Sequence, residues 1–487
     1  MLKHMPFIKL FSVHFKYYLY DTNTNAIFKI PKEVYLYLEK LNDKNFEDSF
    51  NALSDKYKKF VNNMIANGVL KPIPENRKIE HFETERLDYF FKDNVRSLTL
   101  QVTQNCNLRC NYCVYSGSYV NRTHNNKRMS WETAKKAIDH LFDHSSLSKN
   151  ISIGFYGGEP LLEWNLIVKC VEYAENLFFE KNLSFLMTSN ATLLEDYMID
   201  FICKHNINLT ISLDGPREVQ NANRVFANGN EDTFSVVMEK IKLFEKINSE
   251  YLKNNVSFNA VIDLNKDVNA SNEFFFNYDI IKDIQVSGNV VNEDNKTETS
   301  FAVPEYYSEM QYELFKSYIF FHTDILSNFS PRLYINDING LKRNQEERLI
   351  VDDSCKSSVV ATGQCLPGIL RFFVTADGDF YPCERVNEQS PDLCIGNVND
   401  GFNVENAKRI LNVSKLTEEH CLKCWCIKNC GQCISKSMNA DGHLEAESRL
   451  KNCAISKREA VERMKEYVIL KEYGFDFANV ERKKLYE

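Results

Sequence analysis

Residues 97–115 read SLTLQVTQNCNLRCNYCVY. An alternating apolar run ends at Thr103, and Cys106, Cys110 and Cys113 follow at spacings of four and three. Alternation of this kind is the mark of a strand with one face buried. Three thiolates on one loop can each take one iron of a cubane cluster and leave the fourth iron without a protein ligand. A structural zinc or cluster loop is the competing reading; it asks for a fourth nearby ligand, for which His124 is the local candidate.

Downstream of this loop, strand-like and helix-like patterns alternate: WETAKKAIDHLFDH, NISIGFYG, WNLIVKCVEYAENLFFEK, LSFLMTSN, LTISLDG and VSFNAVID. Such alternation predicts βαβ units around a parallel sheet. The strand ends fall at Thr103, Gly157, Asn190, Gly215 and about Asp263, and in α/β barrels those C-terminal ends carry the active site. A helical pattern over 303–327 closes the region. Upstream, FIKLFSV, a turn at 21–25 and AIFKIP predict a small sheet, and PKEVYLYLEKL and FEDSFNALSDKYKKFVNNMIANG predict two helices, the second ended by Gly68. Beyond residue 350 periodicity weakens and cysteines multiply, before a charged helix over 454–473.

Composition narrows the class. The chain has 487 residues, 44% of them hydrophobic, so more than one core is expected. A net charge of -8 argues against a broad phosphate-binding surface, and nucleic acid is not expected as a partner. The N-terminal apolar stretch is broken by Lys3, His4, Lys9, His14 and Lys16, and no run reaches the length of a membrane span, so a cytoplasmic protein without a membrane partner is expected. In that compartment 15 cysteines point to metal rather than to disulfides.

The loop resembles the radical S-adenosylmethionine superfamily, whose hallmark is CxxxCxΦC with an aromatic at Φ, here Tyr112. Gly157, Gly158, Glu159 and Pro160 resemble the family's GGEP segment, in which glycines let backbone approach the ligand and a carboxylate can pair with an ammonium. TSNATLL at 188–194, with Ser189 and Asn190, is similar to the family's TNGTLL, and ISLDGP at 211–216 is similar to its SxDG strand end, where Ser212 and Asp214 would address ribose or carboxylate. Ala191 departs from the pattern, which usually has Gly. The resemblance implies that Tyr112, Gly157, Gly158, Glu159, Ser189, Asn190, Ser212 and Asp214 bind S-adenosylmethionine, that Cys106, Cys110 and Cys113 hold a 4Fe-4S cluster, and that reductive cleavage yields a 5′-deoxyadenosyl radical.

Ten further cysteines lie between Cys355 and Cys453, and CLKCWCIKNCGQC is too dense for packing thiols. From the cysteines alone, zinc and iron-sulfur are both open. The order Cys365, Gly378, Cys383, Cys421, Cys424, Cys430, Cys433, Cys453 resembles the SPASM extension of peptide-modifying members. Its departures are an added Cys426 and a two-residue gap after Cys430. The resemblance implies one auxiliary 4Fe-4S cluster on Cys365, Cys383 and Cys433, with Cys355 as fourth ligand or with an open iron, and another on Cys421, Cys424, Cys430 and Cys453. With the barrel cluster this makes three. Glu384 stands where related sulfatase-maturing enzymes have a catalytic Asp, and is expected as a catalytic base. YYLYDTNTNAIFKIPKEVYLYL resembles the leader-binding element of enzymes that mature ribosomally made peptides, which pairs a peptide against a sheet edge.

The expected fold is therefore α/β: a partial (β/α)6 TIM-like radical SAM barrel with an N-terminal winged-helix-like peptide-recognition element and a C-terminal Cys-rich SPASM domain. The divisions fall at 1–75 for the recognition element, 76–96 for a linker or bridging segment, 97–330 for the barrel, 331–460 for the SPASM domain and 461–487 for a C-terminal helix. The expected function is an oxidoreductase that installs thioether crosslinks, from Cys sulfur to carbon, in a precursor peptide whose leader the N-terminal element binds, with a flavodoxin or ferredoxin-like electron donor. Carbon-carbon crosslinking and formylglycine-forming sulfatase maturation are alternatives of the same class, and a non-catalytic metal-binding, peptide-interacting protein is one of a different class.

Overall fold

The alternating runs form the parallel sheet they call for. The computed structural model describes residues 4–43, 46–115, 123–229, 232–263, 265, 268–291, 304–323, 325, 329, 332–347, 358–361 and 363–482. An antiparallel N-terminal sheet of β1 (Ile8–Val13), β2 (Lys16–Asp21) and β3 (Ala26–Ile30) comes first, followed by helices Lys32–Glu39, Phe46–Asn51 and Asp55–Ala66. The second helical pattern, expected as one helix, is thus two. Ser54 takes an extended conformation and starts the later helix, with Asp55 in its first turn. That is the backbone preference of an N-cap residue, and it outweighs the apolar period running through 46–68.

The segment 76–96, expected as a linker or bridging segment, carries regular structure. Its β4 (Lys78–Ile79) and helix Leu87–Asp93 join it to both ends of the molecule: Leu87 and Phe91 enter the main core, and His81 N donates to Asn412 Oδ1 at 2.8 Å. Six parallel strands follow, β5 (Ser97–Thr103), β6 (Asn150–Gly157), β7 (Asn182–Ser189), β8 (Ile207–Ser212), β9 (Val256–Ile262) and β10 (Gln285–Val290), with helices between them. The sixth, QVSGNV, holds few apolar residues and gave no clear signal in the sequence. The closing helix runs Pro304–His322.

After β11 (Ser358–Val359), which pairs with β4, the chain returns to the barrel. Strand β12 (Phe372–Val374) lies parallel to β5, and β13 (Asp379–Tyr381), β14 (Gly396–Asn397) and β15 (Gly401–Phe402) continue antiparallel, giving one ten-stranded sheet. Phe372, Phe373, Val374 and Phe380 share one apolar core with β5–β9, so the Cys-rich region is built as an extension of the barrel edge. Helix Cys453–Glu472 packs back on the N-terminal sheet through Met464 and Val468 against Phe11, Tyr18 and Tyr20. No helix among the described residues is long and apolar enough to cross a membrane.

Asp21 secures the N-terminal sheet. Fully buried, it accepts from Thr24 N at 2.8 Å, Thr24 Oγ1 at 3.0 Å and Leu70 N at 2.9 Å, tying the β2–β3 turn to the segment after helix Asp55–Ala66. Asp21→Ala leaves a buried N–H unpaired and should destabilise this unit by about 3 kcal/mol. Hydrogen exchange should then accelerate across residues 8–70 while the strands of the barrel keep their protection.

Candidate functional site

The three-cysteine loop leaves the C-terminal end of β5 and is pinned on both sides. Gln104 N donates to Lys127 O, Arg109 N to Val225 O, Asn111 N to Asn223 O and Ala227 N to Asn107 O. Within the loop, Leu108 N points at Cys106 Sγ (3.3 Å) and Tyr115 N at Cys113 Sγ (3.5 Å). Burial pushes the Cys106 thiol up to about 12, with Glu159 and the other two cysteines adding to the effect, and pushes Cys110 up to about 11. Thiols held this way ionise when a metal supplies positive charge.

The residues fit an iron-sulfur cluster. Their donors are three soft sulfurs that sense one another's charge, and backbone N–H groups already face two of them. His124 stacks on Tyr115 with ring centres 5.8 Å apart.

The glycines of the second strand end act on the loop itself. A Cβ at Gly157 would lie 2.0 Å from Thr103 O, and one at Gly158 would lie 2.0 Å from Asn105 O. Gly158 N and Glu159 N donate to those same two carbonyls. Glu159 is 1% exposed and accepts from Ser189 Oγ (2.7 Å), Asn190 N (2.7 Å) and Leu161 N (3.0 Å). Burial raises its pKa while these three donors act in the other direction. The carboxylate expected to meet a ligand ammonium therefore latches β6 to β7. Asn190 in turn donates Nδ2 to Asn107 Oδ1 at 2.9 Å, with Cys106 Sγ at 3.8 Å. Ala191 takes a left-handed conformation, φ 58°, which explains why glycine is usual there.

The fourth strand end is similarly engaged. Asp214, expected to address ribose or carboxylate, accepts from Arg224 Nε and Nη2, both at 3.0 Å, from Val261 N at 2.9 Å and from the Tyr112 hydroxyl. Burial raises the Tyr112 phenol well above its ordinary value. The Arg224 guanidinium lies 5.4 Å from the centre of the Tyr112 ring. Ser212 is buried beside this group at the end of β8. Sequence reasoning missed Arg224; a single Arg ten residues beyond Asp214 belongs to none of the motifs quoted. It brings Tyr112 of the cysteine loop and Asp214 together.

The C-terminal cysteines fall into two groups. Cys430 senses the charge of Cys421 and Cys453, and Cys424 that of Cys430 and Cys421. Cys383 is pushed up to about 11 by burial, with Glu384 and Cys433 adding. Gln364 Nε2 donates to Gln432 O at 3.1 Å, which brings the loop of Cys365 to that of Cys433. Cys355 lies outside the described residues. Buried Arg449, bonded to Ser437 Oγ and Ser414 Oγ, places positive charge near Cys430. The added Cys426 is 1% exposed, close to Tyr20 of the N-terminal sheet, with Sγ 3.9 Å from Ser456 O. Glu384, expected as a base, lies within 2.9 Å of Arg371 Nη1 through both oxygens, so its charge already has a partner.

Residues 100–263 match the model of the Radical SAM superfamily. Those residues carry a radical SAM domain. The match spans β5 to β9, so it covers the three-cysteine loop and the strand ends just described. A protein of Methanocaldococcus jannaschii is 39% identical over 145 residues, 30% of this chain and 47% of that one. A cysteine-type anaerobic sulfatase-maturating enzyme of Clostridium perfringens is 26% identical over 342 residues, 67% of this chain and 86% of its own. The solved structure of native anSMEcpe with bound AdoMet and Cp18Cys peptide shares the fold, with a TM-score of 0.56 at 21% identity over 78% of this chain and 99% of that one. Radical SAM proteins hold a 4Fe-4S cluster and S-adenosylmethionine, and the loop of Cys106, Cys110 and Cys113 fits the cluster.

Two substitutions test the geometry. Arg224→Met strips the partner from buried Asp214 and should cost about 3 to 5 kcal/mol in denaturant unfolding of the iron-free chain. Ala191→Gly relieves the left-handed residue and should stabilise by about 0.5 to 1 kcal/mol, seen as a higher melting temperature.

Proposed function

We propose that this radical SAM protein is a peptide maturase that cleaves S-adenosylmethionine reductively and installs thioether crosslinks in a Cys-containing precursor peptide. The carrying observation is the N-terminal sheet. Among the described residues, edge strand β3 has β2 as its sole strand partner, while the opposite edge is met by Lys71, whose carbonyl accepts from Phe7 N. An open edge of this kind captures extended peptides by backbone pairing. The same sheet sits on the Cys-rich segment, with Thr22 Oγ1 donating to Trp425 O at 3.1 Å and Lys428 Nζ to Asn23 O at 3.3 Å. The matched part of anSMEcpe accounts for 78% of this chain, and the remaining fifth leaves room for such a recognition element.

In this reading Cys106, Cys110 and Cys113 hold the barrel cluster, and Gly157, Gly158, Glu159, Ser189, Asn190, Tyr112, Ser212 and Asp214 shape the S-adenosylmethionine site around it. When bound, the cluster supplies the electron that breaks the sulfonium and releases a 5′-deoxyadenosyl radical. Cys365, Cys383 and Cys433, with Cys355 or a substrate thiolate, would hold one auxiliary 4Fe-4S cluster, and Cys421, Cys424, Cys430 and Cys453 the other, three in all. A flavodoxin or ferredoxin-like protein is the proposed donor. The precursor's leader would lie along β3. Glu384 serves in this reading as a base only if substrate displaces Arg371.

Formylglycine-forming maturation is the second reading, favoured by the similarity to the Clostridium perfringens enzyme over 86% of its length. Metal content and product mass separate the two readings and test the clusters. Anaerobically reconstituted protein should hold about 12 irons per chain and little zinc. A precursor peptide should lose about 2 Da per crosslink, one hydrogen from carbon and one from sulfur, and lose nothing once its cysteines are alkylated. Mass loss that persists after alkylation would exclude thioether formation; about 4 irons with zinc would remove the auxiliary clusters.

A further inference from the structure

The cysteine loop is gripped at its start by a carboxylate from the C-terminal region that no motif singled out, and Gln101 relays that contact to the loop's far end. Gln101, fully buried on β5, donates Nε2 to Glu388 Oε2 at 2.6 Å and to the Tyr115 hydroxyl at 2.8 Å. Its Oε1 accepts from Gln104 Nε2 and from Ala376 N, both at 3.0 Å. Gln104 Nε2 also donates to Glu388 Oε1 at 3.0 Å, and Gln104 Oε1 accepts from Asn125 Nδ2. Gln104 lies two residues before Cys106, and Tyr115 two residues after Cys113. Glu388 itself lies five residues past Cys383. Gln101 thus links the two ends of the loop, and Glu388, from the segment of Cys383, holds both Gln101 and Gln104.

We propose that Glu388 is a positioning residue that fixes the arrangement of Cys106, Cys110 and Cys113 from the C-terminal region. The chemistry requires a carboxylate. Two side-chain amides aim N–H groups at one place, and an ionised carboxyl group is acceptor-only, able to take one donor on each oxygen. An amide at 388 would set its own N–H₂ against one of those donors in surroundings where an unmatched polar group is most costly. Glu384, nearer in sequence to Cys383, is turned to Arg371 and takes no part in this network. The loop that the superfamily motif defines is thereby made to depend on how the β12–β13 region is seated. Lys127–Asp377, an exposed pair at 2.5 Å, adds a contact between the same two parts. The effect on the loop is independent of the reading that these thiols hold a cluster, whereas the effect on S-adenosylmethionine rests on it.

The test uses the full chain in two forms. In the iron-free protein, hydrogen exchange over 104–115 should rise about tenfold or more in both Glu388→Gln and Glu388→Ala, with β6–β8 unchanged. The double variant Gln101→Glu with Glu388→Gln reverses donor and acceptor and should return exchange close to wild type, while Glu405→Ala, on the exposed surface, should not alter it. Exchange that is unchanged in the single variants, or raised equally throughout the barrel, overturns the proposal, as does a double variant no better than Glu388→Gln. In reconstituted protein with wild-type iron content, Glu388→Gln should weaken S-adenosylmethionine binding about tenfold and alter the electron paramagnetic resonance spectrum of the reduced, S-adenosylmethionine-bound cluster. Wild-type affinity and spectrum in that variant overturn the consequence for the site. Failure of wild-type protein to take up iron would sink the cluster reading and leave the exchange result standing by itself.

Discussion

The structure depends on the contact between two strand ends. Gly157 and Gly158 pass so close to Thr103 O and Asn105 O that any side chain would collide with backbone, and the N–H groups of Gly158 and Glu159 bond those carbonyls. Backbone cannot yield as a flexible side chain can, so the exit of the cysteine loop from β5 is fixed by the end of β6. Glu159 passes the constraint to β7 through Ser189 and Asn190, and Asn190 returns it to the loop at Asn107 and Cys106. The residues expected to bind a ligand thus form a closed circuit of protein contacts, which preorganises whatever the strand ends hold.

A second circuit balances charge. Asp214 is buried beneath the loop and would be untenable alone, but Arg224 meets it with two bonds and the Tyr112 hydroxyl adds a third donor. Three thiolates would place further negative charge nearby, and Arg224 lowers the pKa of Cys110 as well. Arg449 has the corresponding place near Cys430. In both regions a buried guanidinium sits where thiolates gather, and it suits that place because it stays charged when desolvated.

The sequence made the barrel legible because β5 to β9 combine apolar runs with glycine or polar strand ends, and the cysteine groupings legible because spacing dictates which thiols share a loop. It concealed what depends on pairing between distant segments. QVSGNV becomes β10 through its register with β9, and 78–79 becomes a strand through 358–359. The protein partners of the two motif carboxylates were not legible either, Glu159 meeting Ser189 and Asn190 and Asp214 meeting Arg224, since a motif records which residues recur and not which neighbours face their oxygens. Ala191 was visible as a departure, but only its left-handed backbone gives the reason.

The seating of the N-terminal sheet follows from the same economy of contacts. One face of β1–β3 packs on helices Lys32–Glu39 and Asp55–Ala66. The other places Phe11, Tyr18 and Tyr20 on helix Cys453–Glu472 and beside Trp425, leaving no broad face of the sheet uncovered. Lys16 and Lys29 both reach Glu472, and these exposed pairs contribute little beyond orientation. The apolar contact is what holds, and its floor includes Trp425, inside the run of cysteines from 421 to 433. The sheet is thereby held against the segment that carries the proposed ligands, with the buried Cys426 beside Tyr20.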